Sequence, residues 1–162
     1  MCIKHGYGDI SEREAVPVEV YSMAEFNEMI EGKNRKDFRH ILVLIFGDED
    51  NPDDPEEMRN CYYKVPDIKY DELEEYGYTY EDFWPNAEII AKVIMSNYPP
   101  NKVICVSENG KSRAAGCAAA ISDYFLKDGI RWFADEKYTP NKLIYRKMKE
   151  ALEGVYKALR KK

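Results

Sequence analysis

The sequence predicts an α/β fold built around a mainly parallel sheet flanked by helices. Three observations predict it. Ile41-Leu-Val-Leu-Ile-Phe46 and Lys102-Val-Ile-Cys-Val106 are short apolar runs of strand length, the pattern of strands covered on both faces. Segments with helical apolar spacing separate and follow them. Strands alternating with helices favour parallel pairing through crossovers.

Taken in order, Met1 to Pro17 has mixed charge and little periodicity and reads as an N-terminal arm preceding one domain that spans residues 1–162. Val18-Glu-Val-Tyr21 alternates as a strand, and Ser22 with Glu25 forms a capping-box pattern for a helix to about Ile30. After the Ile41–Phe46 strand, Asp48 to Glu57 holds seven carboxylates and no base. It lacks the glycine and ligand spacing of a calcium loop and reads as a solvated acidic segment. Cys61 to Val65 reads as a strand stopped by Pro66, and a Tyr- and acid-rich connection runs from Asp67 to Trp84. Pro85 suits a helix start, with Ile89, Ile90, Val93 and Ile94 as the face packed on the sheet. The Lys102–Val106 strand follows, and a helix of small residues is expected from Arg113. Thr139 is the expected cap of a last helix with Pro140 in its first turn and Ile144, Met148, Leu152, Val155 and Leu159 on one face.

Composition narrows the function. The 162 residues carry 30 acidic and 24 basic side chains, a net charge of −6, with 44% hydrophobic and 33% charged positions. That balance fits a soluble domain and argues against a general nucleic-acid partner. No apolar run reaches membrane-spanning length and Met1 to His5 lacks a secretory opening, so a cytoplasmic location without a membrane span is expected. Cys2, Cys61, Cys105 and Cys117 show neither CxxC nor framework spacing, which excludes a cysteine zinc site. His5 and His40 have no partner pattern and read as surface or strand-end residues. The basic tail from Arg146 to Lys162 reads as the solvated face of the last helix.

Chemistry concentrates in Ser107-Glu108-Asn109-Gly110-Lys111-Ser112-Arg113, which joins a buried strand to a helix. Amides converging at a helix N-terminus bind phosphate, Gly110 permits the turn, and Arg113 offers a planar fork to two phosphate oxygens. Lys111 adds positive charge. The plainer alternative is a connection with incidental polar residues. Gly110-Lys111-Ser112 also ends like a nucleotide-binding GxxxxGK[ST] loop, but its first glycine would fall at Cys105, inside an apolar strand.

The line Val106-Ser107-Glu108-Asn109-Gly110-Lys111-Ser112-Arg113-Ala114 resembles the active-site loop of the protein tyrosine and dual-specificity phosphatases, HCxxGxxR followed by Ser or Thr. The resemblance extends over roughly Val18 to Leu152, and is nearest to small bacterial and phage members. They carry patterns similar to Tyr138-Thr-Pro-Asn141 with Ile144-Tyr145, and to the Asp67-Ile68 pair after a strand. It implies a phosphatase for phosphate monoesters, with phosphotyrosyl protein as the default partner and a small phosphate ester or a phosphate or sulfate ion also accepted by residues 107–113. It implies no cofactor and no metal. It also implies catalytic roles for position 107, for Arg113 and for Asp67, the last as general acid and then base, with Asp71 and Glu72 as reserves. Tyr76, Tyr78, Tyr80, Phe83 and Trp84 are candidates to line the substrate cleft; packing or surface positions are their alternative, as a solvated turn is for Asp67.

Three positions depart from the family pattern. Val106 replaces the histidine, Ala114 replaces the hydroxyl residue beside the sulfur, and Ser107 occupies the nucleophilic cysteine's place. A serine hydroxyl starts several pKa units too high for the loop field to ionise it, and no histidine is nearby in sequence to serve as its base. Cys105 stands two residues too early to substitute. The chain as written is thus expected to be inactive. Either the serine is a deliberate replacement that keeps phosphate binding, or the natural protein is a pseudophosphatase acting as a phosphate-binding module. Retention of Arg113, Gly110 and Asp67 favours the first explanation; Val106 and Ala114 weigh against it.

Overall fold

The computed structural model describes residues 16–33, 35–46, 62–65, 80–96 and 99–160. Four strands, β1 (Val18–Ser22), β2 (Ile41–Phe46), β3 (Tyr62–Val65) and β4 (Lys102–Ser107), form one parallel sheet in the order β1-β4-β2-β3. The last strand in sequence therefore lies between the first two. Val18 aligns with Val103 and Ser22 with Ser107 on one side of β4, while Ile41 aligns with Lys102 and Phe46 with Ser107 on the other.

Both faces of the sheet are covered, as the apolar runs predict. Val43, Ile45, Ile104 and Val106 meet Phe26 and Ile30 of α1 (Met23–Ile30) and Phe38 of a short 3-10 helix (Arg35–Phe38). The alternate residues Leu44, Phe46, Val103 and Cys105 share the opposite core with α2 (Tyr80–Ile94), α3 (Arg113–Leu126), α4 (Ile130–Ala134) and α5 (Lys142–Arg160). Each large side chain fully buried there contributes about 1.5–3 kcal/mol. Ala114, Ala115, Ala118, Ala119 and Ala120 are all fully buried in α3, and their small volume lets that helix approach the sheet and α5 closely.

The capping box at the start of α1 is present in full. Glu25 N–H donates to Ser22 Oγ at 3.1 Å and Ser22 N–H donates to Glu25 Oε1 at 2.8 Å. Three expectations need correction. First, α2 begins at Tyr80, five residues before Pro85, so Pro85 falls inside the helix. At the sixth position of the helix proline removes one i→i−4 hydrogen bond, the one to the Glu81 carbonyl. Second, the buried face of α2 is Ala87, Ile90, Ala91 and Ile94; Ile89 and Val93 are 48% and 41% exposed. The four isoleucine and valine positions span too wide an arc for all to face inward, and the alanines settle the rotation by admitting α5 as the neighbour. Third, Asn141 and not Thr139 caps α5: its Oδ1 accepts the Ile144 N–H at 3.0 Å.

Polar links hold α3 to its neighbours. Trp132 Nε1–H donates to Ser122 Oγ at 3.0 Å. Asp123 accepts from Lys149 Nζ at 2.6 Å, from Gly129 N–H at 3.2 Å and from Tyr145 Oη at 3.4 Å. The lysine, against some opposing burial, holds the Asp123 carboxyl below its ordinary value. A depressed carboxylate pKa stabilises the fold above the unfolded value, near pH 4, and that contribution disappears as pH falls through the folded value. Asp123→Asn should therefore cost about 1 kcal/mol at neutral pH. Urea unfolding at stepped pH should show this difference shrinking below about pH 4; a difference constant with pH would remove the ion pair from the account.

Candidate functional site

The connection from β4 to α3 lies at the carboxyl edge of the sheet, where β1 and β2 also end. Strand geometry carries Ser107 into position. It is the last residue of β4, level with Ser22 and Phe46 on the flanking strands, and only 2% exposed. Glu108, Asn109 and Lys111 are exposed, Gly110 is buried, and Ser112 and Arg113 are half-buried.

Gly110 is the residue that the turn cannot exchange. Its φ is +67°, and a Cβ there would stand 2.7 Å from Ser22 N and 2.9 Å from the Tyr21 carbonyl carbon. Both the left-handed backbone and the close approach demand hydrogen at that position. This turn directs the Gly110 N–H to Ser107 Oγ at 3.2 Å.

The carbonyls of the loop are held from outside. Glu108 O accepts the Met23 N–H at 3.3 Å, Lys111 O accepts the Thr139 N–H at 2.8 Å, and Ser112 O accepts both the Gly116 and Asn141 N–H groups at 2.8 and 2.9 Å. In a planar trans peptide, a carbonyl and the next residue's N–H point in opposite directions. Outward carbonyls at 108, 111 and 112 therefore turn the amides of Asn109, Ser112 and Arg113 the other way. The result is a run of donors at the start of a 14-residue helix, where the helix dipole is also positive.

Arg113 is the first residue of α3, and one guanidinium nitrogen donates to the Phe46 carbonyl at 3.1 Å. That contact places the planar fork at the end of β2, on the same sheet edge as Ser107. The neighbouring thiols play no part in such a site. Cys105 and Cys117 are fully buried, and the hydrogen bond with Cys117, aided by burial, holds the Cys105 thiol well above its ordinary range. Tyr21, whose backbone touches Gly110, has its phenol pushed up to about 12 by burial and by Glu19, so it stays protonated at neutral pH.

Of the residues singled out in the sequence, the structure brings Ser107 to Arg113 together as one turn. Val106 and Ala114 are fully buried on either side of it. Asp67, Asp71, Glu72, Tyr76 and Tyr78 lie outside the described residues; Tyr80, Phe83 and Trp84 fall in α2, with side chains outside the description. His40 is exposed at the entry to β2 with φ +65°, its carbonyl accepting the Asn101 N–H at 2.7 Å. Among the described residues no group of three or more His, Cys, Asp and Glu is placed to hold a metal ion, and no helix is long and apolar enough to cross a membrane. The contribution of Met23, Thr139 and Asn141 was not legible from their side chains, because it is made by backbone N–H groups.

No protein-family model matches the chain, and no curated protein or solved structure is significantly similar to it.

The steric reading of Gly110 has a direct check. Gly32 also has positive φ, at +79°, but nothing lies within 4 Å of a Cβ built on it. Gly32→Ala should cost about 1 kcal/mol, the backbone penalty alone, whereas Gly110→Ala should cost about 2–4 kcal/mol. Equal shifts of the urea midpoint would show that the Tyr21–Ser22 contact yields freely.

Proposed function

We propose that this chain is a phosphatase of the cysteine-based protein tyrosine and dual-specificity type, acting on phosphate monoesters, phosphotyrosyl protein foremost, in which Ser107 replaces the nucleophile and leaves a site that binds the ester. The observation that carries this reading is the set of externally held carbonyls at Glu108, Lys111 and Ser112, whose planar peptides aim the next amides the opposite way, beside Arg113 at the N-terminus of α3. Each amide is fixed before the ligand arrives, so binding a tetrahedral anion demands little reorganisation. Arg113 supplies two parallel N–H donors to two phosphate oxygens, exchanging its carbonyl contact for charge-assisted ones. Ser107 sits beneath the anion, where its hydroxyl donates to an ester oxygen while its Oγ accepts from Gly110.

With Ser107 the domain holds the ester without turning it over. The corresponding cysteine attacks phosphorus as a thiolate, breaking the bond to the ester oxygen and forming a phosphocysteine that water then hydrolyses. Asp67 protonates the departing oxygen and afterwards takes a proton from that water. Inward amides and the helix dipole lower a thiol pKa enough for this role, but not that of a serine hydroxyl. A second reading, a natural pseudophosphatase that shields a phosphoprotein, gains support from Ala114. That buried residue has no hydroxyl to assist departure of the sulfur.

Calorimetry with phenyl phosphate should give saturable binding to the unaltered chain. Arg113→Lys should weaken it at least tenfold, because an ammonium cannot reproduce the bidentate contact; unchanged affinity would remove the arginine from the site. Ser107→Cys should produce a burst of phenol release followed by slow turnover without added metal. A cysteine variant that binds phosphate but shows neither burst nor turnover between about pH 5 and 8, where thiolate and Asp67 should be competent, would leave the pseudophosphatase reading in place.

A further inference from the structure

The segment Tyr138 to Asn141 runs alongside the loop and supplies two of the three N–H groups that reach it from outside. Its far end is fixed by the Asn141 side chain. Asn141 is fully buried, its Oδ1 accepts the Ile144 N–H at 3.0 Å, and its carbonyl accepts the Tyr145 N–H at 3.0 Å to begin α5. Asn141 thus ends the segment and starts the helix with one set of torsions. The same residue sends its own N–H to Ser112 O at 2.9 Å.

The packing leaves this residue no slack. A Cβ on Gly116 in the first turn of α3 would stand 2.5 Å from the Asn141 carbonyl oxygen and 3.0 Å from its nitrogen, so the two backbones are in direct contact. Ser112 O is shared between Gly116 and Asn141. Rotation of the Asn141 peptide would leave Ser112 O to its helical partner Gly116 alone and draw Thr139 away from Lys111 O, so the Ser112 N–H, in the Lys111 peptide plane, would turn with it.

We propose that Asn141 is a positioning residue for the phosphate-binding loop: by capping α5 it fixes the Thr139 and Asn141 N–H donors that hold the Lys111 and Ser112 carbonyls, and with them the orientation of the amides that follow. The inference rests on the proposed function for its effect on binding, but its structural half stands independently. Asn141 does not touch the ligand. It acts through the Lys111 and Ser112 carbonyls, and the missing side chain of Gly116 is the space that lets it do so.

The test uses the full chain with inorganic phosphate as the probe, followed by calorimetry and by amide resonances. Asn141→Ala removes the cap acceptor and should weaken phosphate binding about fivefold to tenfold, the size of a lost cap, while shifting the Ser112 and Arg113 amide resonances. Asn141→Ser restores a neutral cap acceptor and should return affinity to within about threefold of the original. Gly116→Ala, which leaves both loop and cap unaltered in sequence, should disturb the same two amides. Ile90→Val, buried in α2, serves as the control for general destabilisation and should lower the melting temperature without moving them. Loss of affinity in the alanine and serine variants alike, tracking melting temperature as in Ile90→Val, would overturn the positioning role; so would unmoved Ser112 and Arg113 resonances in Asn141→Ala. Failure of the unaltered chain to bind phosphate would defeat the functional reading instead, and the amide shifts would still decide whether Asn141 sets the loop.

Discussion

The planarity of the peptide bond is the constraint on which this molecule's chemistry depends. Three N–H groups from outside the β4–α3 turn, those of Met23, Thr139 and Asn141, engage its carbonyls, and planarity converts each contact into an amide facing the other way. None of those donors belongs to the turn. Met23 comes from the β1–α1 junction and the other two from the segment before α5, so the donor array is a product of tertiary structure. Gly110 permits the array by allowing β1 to touch the turn where a side chain would part them.

This arrangement explains why the carboxyl edge of the sheet is the place for a site. A parallel sheet brings the ends of β1, β4 and β2 to one edge, and the registers place Ser22, Ser107 and Phe46 level. Ser22 gives its side chain to α1 as a cap, Phe46 gives its carbonyl to Arg113, and Ser107 accepts from Gly110. Adjacent strands thus contribute the cap, the anchor for the guanidinium and the side chain at the centre of the turn.

Much of the fold was legible because burial and periodicity write themselves into residue type. The runs 41–46 and 102–106 are apolar throughout because both faces are covered, and Ser22 with Glu25 is a local signal that needs no tertiary context. The turn at Gly110 was legible because a left-handed, closely approached position calls for glycine. The beginning of α2 was not, because Pro85 is compatible with a helix start as well as with a position one turn further in. Thr139 and Asn141 both have the chemistry of a cap, and residue type alone does not choose between them; the structure gives the role to Asn141, whose backbone packs on Gly116. Asp67 was read from its place after a strand, and that part of the chain lies outside the described residues.

The strand order has a consequence for how the molecule is made. β4 lies between β1 and β2, yet it is the last strand to leave the ribosome. Until then, among the described strands, β1 lacks the partner it pairs with and β2 has one edge unpaired. Pairings between distant segments form slowly, and exposed apolar strands invite association with other chains in the interval. The carbonyl anchors at 139 and 141 emerge later still. A nascent chain therefore has all of its described strands before it has all of its carbonyl anchors, and a chain ending between α4 and Thr139 would carry β4 but lack the donors to Lys111 and Ser112.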